Sequence, residues 1–412
     1  MWQAIQSGSW LTRERLYVYT GMMIGMPLII AIVWIALADG MIDRFGNPIG
    51  TDFTNVWAAG KLVLAGEPSA PYDLARQHVA ERDVFGGRDV PHYGWHYPPL
   101  FLVIAAGLAL IPYAWSLAIW MALTLSAFLA MMRAVLPRPE TMLVGLAFPA
   151  VFVNLGHGQN GFLSAALIGG SLVLLDRRPI VAGALIGLLA YKPQLGILYP
   201  LVLLLTGRWT VIAAATATLC ATCALTLLLF GPEVWRTFID ALAITRFIVL
   251  EGGGPGWHKM QSIFAAARML GAGVETAYVL HGALLVAVAA GLAWLWRSRA
   301  ADDLKAAAFA CSCLLTPPYV LDYDFAVLGV AIVFFVRHGL NHGFQSYEIS
   351  GLALAWASPL LARGIAGATS LPVGLIAVLV LYTLILRRAL NEARSICSLS
   401  PAEVGYIRLP PS

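Results

Sequence analysis

The sequence has 412 residues, of which 59% are hydrophobic and only 12% are charged. Soluble globular domains carry about 25% charged residues. Because the mean hydropathy is also as high as +0.78, the composition excludes a water-soluble domain. The net charge is only +4, which argues against nucleic acid as a partner. The few excess cations report membrane topology instead.

The first apolar run covers 17–38 and follows Arg13 and Arg15. About 20 helical residues cross a hydrocarbon core, and this run is longer than the apolar region of a signal peptide. It ends at Asp39 without a small-residue cleavage site. We therefore expect a first transmembrane helix with its N-terminus in the cytoplasm.

A polar stretch at 39–96 follows and predicts a large first extracytoplasmic loop. Asp52 precedes residues 55–64, whose apolar side chains recur at helical spacing. Asp52 is either the N-cap of this helix or a catalytic carboxylate held near the membrane surface. The aromatic segment at 92–99 contains His96 and Tyr97, which are candidate substrate contacts or part of an interfacial aromatic belt.

Apolar runs separated by short polar junctions fill most of the remaining chain. They predict an all-α integral membrane protein in which 1–412 forms a single polytopic domain. Residues 97–132 are interrupted at Ile111 and Pro112, and we interpret them as one net crossing with a kink or a re-entrant piece. This gives about 12 transmembrane helices with both chain ends in the cytoplasm. Two crossings there would give about 13.

Arginine and lysine residues between the spans orient the bundle, because short cytoplasmic loops are enriched in these cations. If the cation-rich junctions are cytoplasmic, the other polar segments share the opposite face. Those segments are 39–96, 156–160, 191–194, 231–274 and 316–324. We therefore expect the functional residues to gather at one membrane face.

The junction at 156–160 contains His157, Gln159 and Asn160. Polar side chains between membrane helices are costly unless they face a cavity or each other. The two amides can donate to and accept from sugar hydroxyls. The alternative is a plain turn, since glycine and asparagine both favour one.

The segment at 191–194 places Lys192 between two apolar runs, with a proline that breaks the helix and Gln194 beside it. A cation in this position requires an anion, and phosphate is a common one. The alternative is a lysine that snorkels to the interface at a helix end. Both interpretations stay open, and Gln194 is a further candidate substrate contact.

Two later segments also contain candidate groups. His258 follows a glycine-rich run at 252–256, a pattern typical of a lid or binding loop. Asp322 and Asp324 introduce the next apolar run. Acidic residues that enter a membrane span are functional candidates, although either can also cap the following helix.

No metal site or cofactor is predicted. Cys220 and Cys223 lie one helical turn apart in an apolar run without a neighbouring histidine, where cysteine behaves as a small hydrophobic residue. His92 and His96 have ligand-like spacing, but no cysteine or carboxylate cluster accompanies them.

The chain resembles the polyprenol-phosphate-sugar-dependent glycosyltransferases of the GT-C class, and in particular glycosyltransferase family 87, whose members include α-mannosyltransferases. The resemblance rests on Asp52 and on the ordered segments AGKLVLAGEPSAPYD (59–73), WHYPPLF (95–101), GHGQNGF (156–162) and AGALIGLLAYKPQLGILYP (182–200). It suggests a GT-C-like catalytic module at 17–210. Residues 211–412, with the loop at 231–274, match mainly by hydropathy. Some relatives have histidines where this chain has Asp322 and Asp324.

The resemblance implies that a hexose, with mannose as the first expectation, moves from a polyprenyl-phosphate donor to a hydroxyl of a lipid or glycan acceptor. Asp52 would be the catalytic base and Lys192 the contact to the donor phosphate. His157, Gln159 and Asn160 would orient the substrates. The protein is expected in the cell inner membrane, in contact with membrane lipids, with its active site on the periplasmic or extracytoplasmic side.

The alternative function is a transporter or flippase, which also uses broken helices and polar groups within the membrane. The sequence contains no convincing internal repeat. Its large first loop places polar groups outside the bilayer, which favours the transferase.

Overall fold

A computed structural model describes residues 1–398, with side chains described as far as Arg394. Helices and turns account for this part of the chain, which contains isolated β-bridges but no strand. An α-helix satisfies every backbone N–H and C=O within one segment, so it is the form that a single apolar run adopts in lipid. The all-α prediction is confirmed. The C-terminus at 399–412, which was predicted to be cytoplasmic, lies outside the described residues.

The α-helices follow one another with short 3₁₀ turns and one π turn between some of them. Their bounds are α1 (Trp2–Ser7), α2 (Arg13–Ala36), α3 (Phe53–Leu64), α4 (Leu74–Asp83), α5 (Leu100–Ala109), α6 (Tyr113–Val135), α7 (Pro139–Leu146), α8 (Pro149–His157), α9 (Gly161–Leu174), α10 (Pro179–Leu188), α11 (Tyr199–Leu205), α12 (Trp209–Phe230), α13 (Glu233–Thr245), α14 (Ile263–Met269), α15 (Val274–Arg297), α16 (Asp302–Leu315), α17 (Ala326–His342), α18 (Glu348–Thr369) and α19 (Val373–Ser398).

Seven helical segments in the described chain are long and apolar enough to cross a membrane, or eight if the bent pair α7–α8 forms one span. The seven are α2, α6, α12, α15, the segment Asp322–His342, α18 and the part of α19 up to Arg394. Four further apolar segments, which include α5, α9, α10 and α11, are shorter. The predicted count of 12 or 13 spans is therefore not confirmed, because length alone does not decide how the short helices cross.

The interruption at Ile111 separates α5 from α6. With 10 residues, α5 is about 15 Å long, which is half of a hydrocarbon core of about 30 Å. Residues on both sides of it contact the same polar segment. Asn55 Nδ2 donates to Gly94 O ahead of α5 (3.3 Å), and Trp57 Nε1 donates to Ile111 O beyond it (2.9 Å). The chain before α5 and the chain after it therefore lie at the same end of the bundle. This supports one net crossing for 97–132, which is made by α6.

The polar stretch at 39–96 is a folded cap on α5. Helix α3 crosses α5 where Gly60 lies so close to it that a Cβ atom there would stand 2.0 Å from Ala105 O. Helix α4 buries Glu81, whose Oε2 accepts hydrogen bonds from the Tyr93 N–H (3.0 Å) and from His92 Nδ1 (3.1 Å). Burial raises the pKa of Glu81. These contacts give the loop its own rigid structure.

At the opposite end of the bundle, four arginines form ion pairs with carboxylates. They are Arg13–Glu140, Arg208–Asp176, Arg337–Asp303 and Arg388–Glu348. The segments 39–96, 156–160, 191–194, 231–274 and 316–324 instead contact one another at the far end. The predicted gathering of polar segments at one end is therefore present in the fold.

Candidate active site

Asp52 stands at the start of α3, which packs into the core through Phe53, Val56 and Ala59. It occupies the N-cap position, but its side chain makes no capping hydrogen bond. The capping interpretation is therefore wrong. Instead Asp52 Oδ2 accepts a hydrogen bond from Gln159 Nε2 at 2.8 Å, and the side chain is 25% exposed. The carboxylate is thus oriented by a neighbouring amide and remains open to solvent.

The turn after α8 brings two predicted residues to this carboxylate. Helix α8 ends at His157, and Gly158 then adopts the left-handed conformation (φ 64°). This reversal is one that glycine adopts without strain. His157 Nδ1 lies 2.8 Å from Thr51 Oγ1 and 4.0 Å from Asp52 Oδ2. The junction at 156–160 is a turn, as one interpretation expected, and it also positions polar groups at Asp52.

A network of side chains fixes the amide of Gln159. Tyr97 Oη donates to Gln159 Oε1 (3.4 Å), and the Asn160 N–H donates to the same oxygen (3.2 Å). Asn160 Nδ2 in turn donates to Tyr97 Oη at 2.7 Å. Because Oε1 accepts these bonds, Nε2 must face Asp52, so the amide can only donate to the carboxylate. Tyr97 packs on Phe101, with ring centroids 4.8 Å apart.

Lys192 lies behind this network. Its Nζ is 2.5 Å from Asp324 Oδ1 and 3.2 Å from Asn160 Oδ1, and it stands 4.7 Å above the ring of Tyr323. Both members of the ion pair are only 4% exposed. The snorkelling interpretation is wrong, since the ammonium points into the protein. The expected anionic partner is present within the chain, as Asp324.

Asp322 faces a cation that the sequence analysis did not select. Arg363 Nη1 lies 3.8 Å from Asp322 Oδ2 and 3.5 Å from His157 Nε2. His157 therefore stands between Asp52 and Arg363. The signal for Arg363 was a lone cation within the apolar helix α18, and an ionisable residue inside a membrane helix is a functional candidate.

The segment after the glycine-rich run closes the site from the side of α18. A 3₁₀ turn, Trp257–Lys259, packs on α18, where the His258 ring lies against Gly367. The backbone joins the segment that precedes Asp322, because the Gln261 N–H donates to Val320 O at 2.7 Å. Burial, followed by the nearby charges of Lys259 and Arg363, lowers the pKa of His258. His258 is therefore at the rim of the site.

Two predicted substrate contacts lie apart from Asp52. His96 Nδ1 is 3.0 Å from Thr245 Oγ1, and burial lowers the pKa of His96 to about 4. Gln194 Nε2 contacts Tyr319 Oη at 3.5 Å. The first contact joins the loop at 39–96 to the end of α13, and the second joins the segments at 191–194 and 316–324. Neither residue hydrogen-bonds to the Asp52 group within the described chain.

The structure thus brings together most of the predicted residues around Asp52. The group contains Tyr97, His157, Gln159, Asn160 and Asp322, with Lys192 behind Asn160 and His258 at the rim. Residues 1–398 contain no group of three or more histidine, cysteine, aspartate or glutamate side chains that could hold a metal ion. The groups at the site are carboxylates, imidazoles, amides, a phenol and cations.

A family model for glycosyltransferase family 87 matches residues 95–318, which is more than half of the chain. The predicted family is confirmed, and this favours sugar transfer over the transporter alternative. The matched range contains His157, Gln159, Asn160 and Lys192, while Asp52 lies before it and Arg363 lies after it. No curated protein and no solved structure matches the chain.

Proposed function

The chain belongs to glycosyltransferase family 87, and on that premise we propose that it transfers a hexose from a polyprenyl-phosphate donor to a hydroxyl of a lipid or glycan acceptor. The observation that carries the proposal is the Asp52 carboxylate, which is open to solvent and is held by the Gln159 amide at 2.8 Å. Mannose is the first donor sugar to test, because of the family resemblance.

The proposed reaction is a single displacement with Asp52 as general base. Oδ2 of Asp52 is engaged by Gln159, and Oδ1 has no hydrogen-bond partner in the described part of the chain. Oδ1 is therefore placed to take the proton of the acceptor hydroxyl. The acceptor oxygen forms a bond to the anomeric carbon as the bond from that carbon to the phosphate oxygen breaks. Polyprenyl phosphate leaves with the bonding electrons, and the anomeric centre inverts.

The amides and the phenol have the chemistry to orient the sugar. Tyr97, Gln159 and Asn160 offer donors and acceptors within one connected network, and sugar hydroxyls need both. Holding acceptor and donor in line next to the base supplies much of the rate enhancement. The substrates lose their translational and rotational freedom on binding, so that this loss no longer adds to the barrier of the chemical step. His157 would contact the donor between the base and the leaving group.

Lys192 takes a supporting role in this proposal, in place of the phosphate contact expected from the sequence. Its charge is neutralised by Asp324, and its second contact holds the Asn160 amide. A phosphate could reach Nζ only if it displaced a carboxylate that is itself buried, and leaving that carboxylate unpaired is costly. Lys192 therefore positions Asn160, and through it Tyr97.

We propose that the site faces the extracytoplasmic side of the cell inner membrane, which is the periplasmic side. The support is the separation of charges: the end away from Asp52 collects Arg13, Arg208, Arg337 and Arg388. Cations flanking membrane spans are enriched on the cytoplasmic side. Lipid-linked donors and acceptors would reach Asp52 from the membrane plane.

The test is donor consumption by the purified protein. The protein is incubated with a panel of polyprenyl-phosphate hexoses and, separately, with the corresponding nucleotide hexoses, together with a membrane lipid extract as acceptor. We expect one lipid-linked donor to be consumed with release of polyprenyl phosphate, and the nucleotide sugars to remain intact. Consumption of nucleotide sugars alone would contradict the proposed donor class.

A further inference from the structure

Two cations at the site lack a close anionic partner. Arg363 approaches Asp322 only to 3.8 Å and is 41% exposed. By comparison, Lys192 and Asp324 are 2.5 Å apart and 4% exposed. A guanidinium that binds a carboxylate directly forms hydrogen bonds of about 2.7–2.9 Å. Arg363 therefore retains donors that can bind another anion.

Lys259 is the second cation. It is half-buried in the 3₁₀ turn Trp257–Lys259, yet its ammonium makes no hydrogen bond or ion pair to any residue that the structure describes. The turn is not a loose surface segment, because Met260 and Leu321 form a β-bridge immediately after it. Holding an unpaired ammonium partly out of water is unfavourable unless an anion binds there.

The turn that contains Lys259 packs on α18, the helix that contains Arg363. Gly367, which contacts His258, lies four residues after Arg363 and therefore on the same face of α18. Burial, and then the charge of Arg363, lowers the pKa of Lys259, while the carboxylates of Asp322 and Asp52 act in the opposite direction. Arg363, Asp322 and Asp52 are thus all within electrostatic reach of Lys259.

We propose that Lys259 and Arg363 bind the phosphate of the lipid-linked donor and of the polyprenyl-phosphate product. This inference rests on the proposed function. The phosphate gains negative charge as its bond to the anomeric carbon breaks, and cations placed where that charge develops stabilise the transition state. His157 separates Arg363 from Asp52, so the leaving group and the base would flank the sugar.

The test measures how strongly the full-length protein prefers a prenyl monophosphate to the prenyl alcohol of the same chain length. Both ligands have the same apolar part, so their affinity ratio isolates the phosphate. A charge-assisted hydrogen bond contributes enough to change an affinity about tenfold or more. We expect Lys259→Met and Arg363→Met each to lower the ratio about tenfold, and Arg363→Lys to retain part of it. Lys61→Met, at an exposed lysine of α3, should leave the ratio unchanged.

The outcomes separate this site from the proposed function. If the unmodified protein shows no preference for the phosphate, the proposed donor class itself fails. If it shows the preference and the Lys259→Met/Arg363→Met double variant retains it in full, only the assignment of these two residues is wrong. Inorganic phosphate is tested as a competitor, and we expect it to displace the prenyl phosphate weakly. Equally tight binding of inorganic phosphate would overturn the assignment of a lipid-linked ligand.

Discussion

The buried pair formed by Lys192 and Asp324 makes the sharpest prediction about stability. The perturbation is a set of three variants: Lys192→Met, Asp324→Asn and the double variant. Because both side chains are 4% exposed and their charged atoms are 2.5 Å apart, each single change leaves its partner buried without a counter-charge. Breaking a buried pair in this way costs about 3–5 kcal/mol.

The double variant removes both charges, so the remaining cost is much smaller than the sum of the two single costs. We expect a coupling energy of about 2–3 kcal/mol between the two sites, within the range found for residues in direct contact. The free energy of unfolding is measured by denaturant titration of the purified protein in detergent. Lys305→Met is the control, because the ion-pair partner of Lys305 within the described residues is Asp302, which is 82% exposed, and pairs open to solvent contribute about 0–1 kcal/mol.

The same variants decide what Lys192 does in the reaction. If Lys192 supports Asn160, the double variant loses activity mainly through kcat, and the ratio of prenyl phosphate to prenyl alcohol affinity stays near that of the unmodified protein. The reasoning would be refuted if Lys192→Met left the free energy of unfolding unchanged and abolished the preference for phosphate. That result would instead support a direct contact between Lys192 and the donor phosphate.

Three further predictions concern the site and the folded loop at 39–96. Gln159→Leu removes the donor that orients the catalytic carboxylate, so we expect kcat/KM to fall about 10- to 100-fold in a donor-consumption assay. His96→Gln should make the free energy of unfolding depend less on pH in the acid range. The pKa of His96 is lowered to about 4 in the folded protein, against about 6.5 in the unfolded chain. The stability that His96 contributes is therefore complete above a pH of about 6.5 and is lost as the pH falls towards about 4. Gly60→Ala places a Cβ atom 2.0 Å from Ala105 O and should lower the free energy of unfolding by about 1–3 kcal/mol or more.

Matched measurements accompany these predictions. Gly107→Ala serves as the control for Gly60→Ala, because Gly107 lies in α5 with no atom within 4 Å of an added Cβ, and alanine favours a helix over glycine by about 1 kcal/mol. Equal effects of the two changes would contradict the close packing of α3 on α5. An unchanged pH profile in His96→Gln would show that other groups cause the acid loss. Full activity in Gln159→Leu would remove the amide from the mechanism.

The contents of the site were largely predictable, because polar groups between apolar runs are conspicuous. Asp52, His157, Gln159 and Asn160 were each selected on this ground, and the charge pattern correctly placed their segments at one end of the bundle. What the pattern could not provide was the pairing between distant segments. The partner of Lys192 lies 132 residues away at Asp324, and only the packing of the helices brings the two together.

The misses have physical reasons as well. Arg363 is the single cation in the apolar helix α18, and a long cationic side chain in a membrane helix can also snorkel to the interface without any function. Lys259 was not selected, although its neighbour His258 was. The glycine-rich run before it predicts a flexible loop, so the sequence did not indicate that the following turn packs on α18. The number of spans was uncertain because α9, α10 and α11 are shorter than the roughly 20 helical residues that cross a hydrocarbon core.

The central claim is that Asp52 takes the proton of the acceptor while polyprenyl phosphate leaves. The most direct measurement is donor consumption by Asp52→Asn in parallel with Asp89→Asn, which changes an aspartate of the same loop that is 90% exposed. Asp52→Asn is predicted to lose transfer by about 10²-fold or more, as expected for a general base, while it retains the preference for prenyl phosphate over prenyl alcohol. Asp89→Asn is predicted to keep full activity. Transfer by Asp52→Asn at the rate of the unmodified protein would contradict the claim.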